Sequence, residues 1–187
     1  MNNYKIVIIG DTGVGKTSII KSIIGNPFSD REPITVGAMY NCHKINDDIT
    51  LEFWDVAGQK KFIDILKNYY TKADYILLAY DLNDLSTIKR IKQIIEIINA
   101  DIESPKYILV GNKVDLIKNS SIFIDNYIKK HIKSENIITS IYTSAKNGNN
   151  ISELLNIITK NIIKNKNKKN KIPKDRSYSI LSFCTIL

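Results

Sequence analysis

A glycine-rich loop between a short apolar run and an amphipathic stretch constrains the fold more than any other feature of the chain. Residues 10–17 read GDTGVGKT and match the pattern G-x-x-x-x-G-K-[ST]. Glycines let backbone N–H groups curl around a polyphosphate, and the helix N-terminus that follows adds partial positive charge. The loop therefore predicts a βα unit that binds phosphate, with Lys16 on the terminal phosphates and Thr17 on Mg²⁺. The alternative is a glycine turn that matches by chance.

Short apolar runs alternate with amphipathic stretches along the remaining chain. Two runs are separated only by the turn sequence 46–48, which predicts an antiparallel hairpin. The other runs alternate with helical patterns, which predicts an open parallel sheet covered by helices on both faces. We predict strands at 4–9, 39–45, 50–56, 75–81, 107–112 and 137–143, and helices at 16–24, within 62–70, and at 87–100, 122–131 and 151–164. The expected fold class is α/β, with a six-stranded, mostly parallel sheet and one antiparallel edge strand.

Composition excludes several classes of protein. The 187 residues fit one domain, and two cysteines are too few for a disulfide framework or a zinc site. We expect Cys42, in a predicted strand, to be buried. The sequence contains no run of 18 or more apolar residues, so we do not expect a helix that spans a membrane. The chain starts without a basic leader, which predicts a reducing, cytosolic setting.

The net charge of +8 is concentrated near the end of the chain. Residues 164–176 hold seven basic residues and one acidic residue, which leaves only +2 for all other residues. We therefore predict a folded domain over 1–163 and a flexible polybasic tail over 164–187. No aromatic residues interleave the lysines, so we do not expect nucleic-acid binding.

Two more loops follow predicted strands, with the sequences GNKVD at 111–115 and TSAK at 143–146. The Asp115 carboxylate can accept two N–H bonds from guanine, and adenine offers no such pair. The Ala145 backbone N–H could donate to guanine O6. GNKVD alone could be an ordinary polar loop, but together with the phosphate loop it predicts a guanine nucleotide at the strand ends.

The set GDTGVGKT, PITVG, WDVAGQ, GNKVD and TSAK resembles the motifs of Ras-superfamily small GTPases, over residues 4 to about 163. Three details resemble the Rab branch: TVGAMY at 35–40, Trp54 before Asp55, and NYYTKA at 68–73. The sequence departs from the usual pattern at Lys60, where the family has Glu, and at 71–72, where Thr-Lys replaces Arg-Gly. The resemblance implies a P-loop small-GTPase domain that cycles between GTP and GDP with Mg²⁺ and hydrolyses GTP slowly.

Site residues follow from the resemblance. It implies that Thr17 and Thr35 ligate Mg²⁺, Asp55 holds it through water, and Gln59 orients the attacking water. Phe28 would lie against the guanine, or else pack under a helix. The implied nucleotide-binding residues are Asp11, Thr12, Gly13, Val14, Gly15, Lys16, Thr17, Ser18, Phe28, Thr35, Gly58, Asn112, Lys113, Asp115, Ser144, Ala145 and Lys146.

Partners are also implied by the resemblance. A monomer that meets an exchange factor, a GTPase-activating protein and GTP-state effectors is expected, with Tyr40, Trp54 and Tyr69 as the effector-facing aromatic residues. The alternative is that Trp54 and Tyr69 serve only in packing. A membrane-anchored Rab-like switch in vesicle trafficking is our first hypothesis. A Ras- or Rap-like signalling protein and a nucleotide-locked binding module are the others.

The final residues, CTIL at 184–187, fit the prenylation pattern C-a-a-X, with Leu187 favouring geranylgeranyl on Cys184. One lipid chain holds a membrane weakly, and the lysine-rich segment would supply a second signal. We therefore expect a lipid-anchored protein on the cytoplasmic face of an endomembrane or the plasma membrane, with a cytosolic pool. The alternative is a solubilising tail with an incidental cysteine.

Overall fold

A six-stranded sheet forms the frame of the protein in the computed structural model, which describes residues 2–59, 63–117 and 122–171. The order is β2-β3-β1-β4-β5-β6, and every neighbouring pair is parallel except β2 with β3. This confirms the predicted fold class, including the hairpin and the antiparallel edge strand. The strands are β1 Asn2–Gly10, β2 Ala38–Lys44, β3 Ile49–Val56, β4 Tyr75–Asp81, β5 Tyr107–Asn112 and β6 Ile137–Tyr142.

Five α-helices are described, and their order along the chain alternates with the strands as predicted. The last helix differs, because it continues past the predicted end at residue 164 to Lys171. Residues 164–171 are therefore helical rather than part of a flexible tail, and Asn165 donates a 2.7 Å hydrogen bond to the Tyr75 hydroxyl. The helices are α1 Lys16–Ile23, α2 Ile63–Tyr70, α3 Ser86–Asp101, α4 Ile122–His131 and α5 Ile151–Lys171.

Both faces of the sheet are covered by apolar cores. Successive residues of β1 alternate between them: Ile6 and Ile8 pack on the α1 and α5 side, while Val7 and Ile9 pack on the α2, α3 and α4 side. Each of these side chains is at most 2% exposed, and burying one is worth about 1.5–3 kcal/mol. Burial on both faces explains why the central strands are nearly continuous apolar runs.

Within the described ranges, none of the helices has both the length and the apolar character that a membrane span requires.

The edge strand β2 corrects one expectation. Cys42 is exposed rather than buried. The reason is that β2 has β3 on one side only and contains no fully buried residue. Strand propensity alone does not distinguish an edge strand from a central one.

Lys72 ends the turn after α2 in a strained conformation. Its φ of 66° lies in the left-handed region, which costs a residue with a Cβ roughly 1–2 kcal/mol. Lys72 stands where the Rab-like pattern has Gly.

We expect Lys72→Gly to raise the free energy of unfolding by about 0.5–1 kcal/mol, because relief of strain exceeds the added entropy of an unfolded glycine. Urea denaturation of the purified protein measures this change. Lys72→Ala is the matched control, since it removes the same charge but keeps the Cβ. Equal stability of the two variants would contradict the strain argument.

Candidate functional site

The carboxyl ends of the parallel strands meet at one rim, where they surround a pocket of about 490 Å³. Most of the predicted nucleotide-binding residues line it, although they come from four loops and from the segment 25–37 that follows α1. Val14 and Ser144 are wholly buried and line no part of it. Asp11 and Gln59 are also not among its lining residues, although each is next in the chain to one, Thr12 and Gly58. The lining residues that the sequence predicted are Thr12, Gly13, Gly15, Lys16, Thr17, Ser18, Phe28, Thr35, Gly58, Asn112, Lys113, Asp115, Ala145 and Lys146.

Lys16 lies folded into the phosphate loop at the floor of the pocket. Its Nζ donates to the Gly10 carbonyl oxygen at 3.1 Å and to the Asp11 carbonyl oxygen at 2.8 Å. Burial lowers the pKa of Lys16, and the nearby carboxylates of Asp55 and Asp11 partly oppose that shift. Within the described ranges Lys16 forms no ion pair, so its charge is free to face an anion.

Gly58 brings the backbone after β3 against this loop. A Cβ at Gly58 would lie 2.6 Å from Lys16 Nζ and 2.6 Å from the Thr12 backbone nitrogen. Only glycine therefore fits where the two loops approach each other. This close approach places the Gly58 backbone next to any phosphate that Lys16 binds.

Three oxygen-bearing side chains converge beside Lys16. Thr17 Oγ1 lies 2.5 Å from Asp55 Oδ2 and 3.0 Å from Thr35 Oγ1, and Thr35 Oγ1 lies 3.3 Å from Asp55 Oδ2. Burial raises the pKa of Asp55, against the opposing effect of the Thr17 hydrogen bond.

The same three residues fit a magnesium ion. Asp55 Oδ1 is buried and has no hydrogen-bond partner among the described residues, and such a group costs free energy unless something satisfies it. Mg²⁺ prefers one or two carboxylates together with hydroxyl, water and phosphate oxygens. The donor set is therefore suited to Mg²⁺ bound together with a phosphate group.

Asn112 joins three loops at the inner wall of the pocket. Its Nδ2 donates to the Val14 carbonyl oxygen at 2.9 Å, and its Oδ1 accepts from the Ala145 backbone nitrogen at 3.1 Å and from Thr143 Oγ1 at 3.4 Å. Gly15 makes room for it, because a Cβ there would lie 2.3 Å from Asn112 Nδ2. The expected donation from Ala145 to a guanine oxygen stays a prediction, since this N–H already has Asn112 as an acceptor.

Phe28 and two lysines also line the pocket. Phe28 is 39% exposed and belongs to neither apolar core, so it is available to a flat ligand rather than packed under α1. Lys146 Nζ lies 5.8 Å from the centre of its ring. Lys113 Nζ forms a 2.7 Å ion pair with Asp81 at the end of β4. That pair fixes the loop that carries Asp115 at the pocket edge.

The three predicted effector residues form one aromatic cluster outside the pocket. Ring centres of Tyr40 and Trp54 lie 5.3 Å apart, and those of Trp54 and Tyr69 lie 5.8 Å apart. Tyr40 is 52% exposed, whereas Trp54 and Tyr69 are half-buried. The cluster therefore combines packing between β2, β3 and α2 with a surface that is open to solvent.

Sequence reasoning missed the acidic residues of the segment 25–37. Asp30 and Glu32 line the pocket, and Glu32 forms a 2.7 Å ion pair with Lys21 of α1. Asp30 forms a 3.2 Å ion pair with Lys146. No motif contains these acids, and their partners lie 11 and 116 residues away.

We expect Asn112→Ala to speed release of a fluorescent GDP analogue by about 100-fold, since it removes at least two buried hydrogen bonds worth roughly 1–1.5 kcal/mol each. Stopped-flow fluorescence measures the rate. Asn99→Ala is the matched control, because Asn99 lies on α3 outside the pocket lining and accepts a 2.8 Å hydrogen bond from the Tyr107 hydroxyl of β5. Equal release rates for the two variants would contradict the role of the Asn112 hydrogen bonds in holding the loops of the pocket.

Comparison with known proteins places these features in a family. A sequence model described as "Ras family" matches residues 5–164. The chain is 32% identical over 170 residues to the Ras-related protein Rab7 of Cenchrus ciliaris, which covers 86% of this chain and 82% of the relative. It is 33% identical over 182 residues to Rab-32A of Dictyostelium discoideum, which covers 90% and 81%. It is 36% identical over 154 residues to Rab-1D of the same organism, which covers 80% and 74%. The chain belongs to the Ras family and is a Rab-like small GTPase, a hydrolase of GTP.

Proposed function

We propose that this GTPase is a membrane-anchored, Rab-like switch in vesicle trafficking that cycles between GTP-bound and GDP-bound states. The observation that carries the proposal is the convergence of Thr17, Thr35 and Asp55 beside Lys16 and Gly58. Thr35 belongs to the segment 25–37 and Gly58 follows β3. Two separate segments of the chain therefore approach the same place beside Lys16, where a terminal phosphate would bind. Loss of one phosphate there would release both segments, which is the order–disorder device of GTPases.

Each residue of the site has a proposed role toward GTP. Thr17 and Thr35 would hold Mg²⁺ directly and Asp55 through water. The bound ion would neutralise charge on the β- and γ-phosphates. Lys16 supplies a second positive charge, and the Gly58 N–H donates to the γ-phosphate. Phosphoryl transfer of this kind needs positioning and charge stabilisation rather than a covalent intermediate.

Gln59 is the proposed catalytic residue, and it orients the attacking water. It follows Gly58 directly and is half-buried, and the next residue, Lys60, lies outside the described residues. With no arginine supplied by a partner, turnover is expected on the order of 10⁻³ s⁻¹ or slower. A GTPase-activating protein would raise it by about 10³–10⁵.

Recognition of the base is proposed for the loops after β5 and β6. Asp115 would accept the two N–H groups of guanine, while Phe28 and the stem of Lys146 cover its faces. The expected donor to guanine O6 is the Ala145 N–H, shared with Asn112. Val14, Ser144 and Asp11 would act by holding the loop backbones that line the pocket.

Gln59→Leu tests hydrolysis against the nucleotide-locked alternative. We expect a rate at least about tenfold below wild type in single-turnover hydrolysis of bound GTP, because a positioned water is worth a factor of ten or more. Gln93→Leu is the matched control on the exposed side of α3, where Gln93 accepts a 3.1 Å hydrogen bond from Arg90 of the same helix. An unchanged rate in Gln59→Leu would defeat the catalytic assignment and favour the locked module.

The aromatic cluster supports the Rab-like reading over a Ras- or Rap-like one. Tyr40 lies in β2 after the segment 25–37, Trp54 lies in β3 before Gly58, and Tyr69 lies in α2. Their exposed surface would change if the segments next to them move with the bound nucleotide. Aromatic residues of this type often carry much of the binding energy at protein interfaces. Effectors of the GTP state, an exchange factor and a GTPase-activating protein are the proposed partners of a monomeric protein.

Attachment to a membrane is proposed through Cys184 and the lysine-rich segment. Residues 172–187 lie outside the described residues. The sequence CTIL at 184–187 supports the anchor if Leu187 is the free carboxyl terminus. A geranylgeranyl chain binds a bilayer weakly by itself. Basic residues near an anionic surface add roughly 1 kcal/mol each. Together they would hold the protein on a cytoplasmic membrane face, with a cytosolic pool.

Cys184→Ser tests this anchor. We expect the wild-type protein to lie on membranes of a eukaryotic cell and the variant to be cytosolic, since the lysine-rich segment alone lacks the lipid contribution. Microscopy of fluorescent fusions at the amino terminus gives the measurement. Cys42→Ser is the matched control, because Cys42 is the exposed thiol of β2 and should leave localisation unchanged. Equal cytosolic signal for wild type and Cys184→Ser would contradict the anchor.

A further inference from the structure

We propose that the ion pair between Asp30 and Lys146 is a clasp that closes the mouth of the pocket and slows release of the guanine nucleotide. Asp30 is thereby assigned as a positioning residue for nucleotide retention. The inference rests on the proposed function, because it requires the nucleotide to occupy the pocket.

The two residues come from different parts of the fold. Asp30 lies in the segment 25–37, two residues after Phe28, and Lys146 lies in the loop after β6. Both line the pocket, and Lys146 Nζ lies 3.2 Å from Asp30 Oδ1. The contact therefore links the segment that carries Phe28 to the loop after β6. A base held against Phe28 would leave more slowly while this link is intact.

Lys146 makes a second contact that fixes the direction of its side chain. Its Nζ lies 5.8 Å from the centre of the Phe28 ring, within the range of a cation–π interaction. Asp30 and Phe28, two residues apart, thus contact the same lysine head from one segment. Neither contact involves the phosphate end of the pocket.

Several contacts between described residues tie the segment 25–37 to the rest of the domain. Thr35 contacts Thr17 and Asp55, a contact that depends on the metal and the terminal phosphate as proposed above, and the Gly37 carbonyl oxygen accepts a 2.9 Å hydrogen bond from the Ala57 backbone nitrogen. The Lys21–Glu32 and Lys146–Asp30 ion pairs are two more. Of these contacts, the Lys146–Asp30 pair is the one that reaches the loop after β6. Because it does not touch the phosphate site, it should act on GDP and GTP alike, and it would keep GDP bound after hydrolysis has released Thr35.

The expected size of the effect follows from exposure. The side chains are 55% exposed for Lys146 and 76% for Asp30. Exposed pairs of this kind change an equilibrium by up to about fivefold and weaken in salt. The clasp therefore slows nucleotide release only modestly, and its effect weakens as the salt concentration rises.

The test is dissociation of a fluorescent GDP analogue and of a non-hydrolysable GTP analogue from the full chain, at about 20 mM and about 1 M salt, where screening lengths differ severalfold. We expect Asp30→Asn to speed release of both analogues by about two- to fivefold at low salt, and the difference to vanish at high salt. Asp47→Asn is the matched control, since Asp47 forms a 2.7 Å exposed pair with Lys44 in the β2–β3 hairpin.

The reversed pair Asp30→Lys/Lys146→Asp separates charge attraction from a structural effect. We expect it to release GDP more slowly than Lys146→Asp alone, because attraction is restored with opposite signs. Tight GDP binding with equal rates for Asp30→Asn and Asp47→Asn, or an acceleration that persists at 1 M salt, would overturn the inference and leave the proposed function standing. A wild-type chain that retains no guanine nucleotide would overturn both.

Discussion

The side chain of Asn112 is the interaction on which the shape of the nucleotide site most depends. One buried amide contacts the phosphate loop through Val14 and the loop after β6 through Ala145, and these partners lie 98 and 33 residues away along the chain. A buried amide with satisfied donor and acceptor is stable, whereas either partner left alone carries a desolvation penalty. The relative positions of the three loops therefore depend on the same side chain.

A second constraint is that two buried charged groups, the ammonium of Lys16 and the carboxylate of Asp55, lack full compensation from the residues around them. Among the described residues, Lys16 is buried with two backbone carbonyl oxygens as its hydrogen-bond partners, and Asp55 Oδ1 is buried without a hydrogen-bond partner. Opposite shifts in pKa, lower for Lys16 and higher for Asp55, arise from the same burial. A phosphate and a divalent cation are the complementary pair for these two groups, so the part of the site that is least favourable alone is the part that its ligands stabilise.

Strand β3 connects the nucleotide site to the aromatic cluster on the surface. Asp55 lies in β3, one residue after Trp54, so the strand that presents the Asp55 carboxylate to Thr17 and Thr35 on one face supports the aromatic cluster on the other. Tyr69 reaches the same cluster from α2, whose last residues are tied to the end of α3 by the 2.8 Å ion pair of Lys67 with Asp101. The end of α2 that carries Tyr69 is thereby anchored to α3.

Sequence patterns alone determined the strands, the hairpin, the phosphate loop and the two loops after β5 and β6, because these depend on local periodicity and on residue types that few other structures require. Only the tertiary structure decided that Cys42 is exposed, that α5 continues to Lys171 and that Asn112 bonds Val14, since each depends on what another element covers or offers. The same holds for Asp30 with Lys146. An ion pair between residues 116 positions apart leaves no local trace, because either charge alone is indistinguishable from ordinary solvated surface.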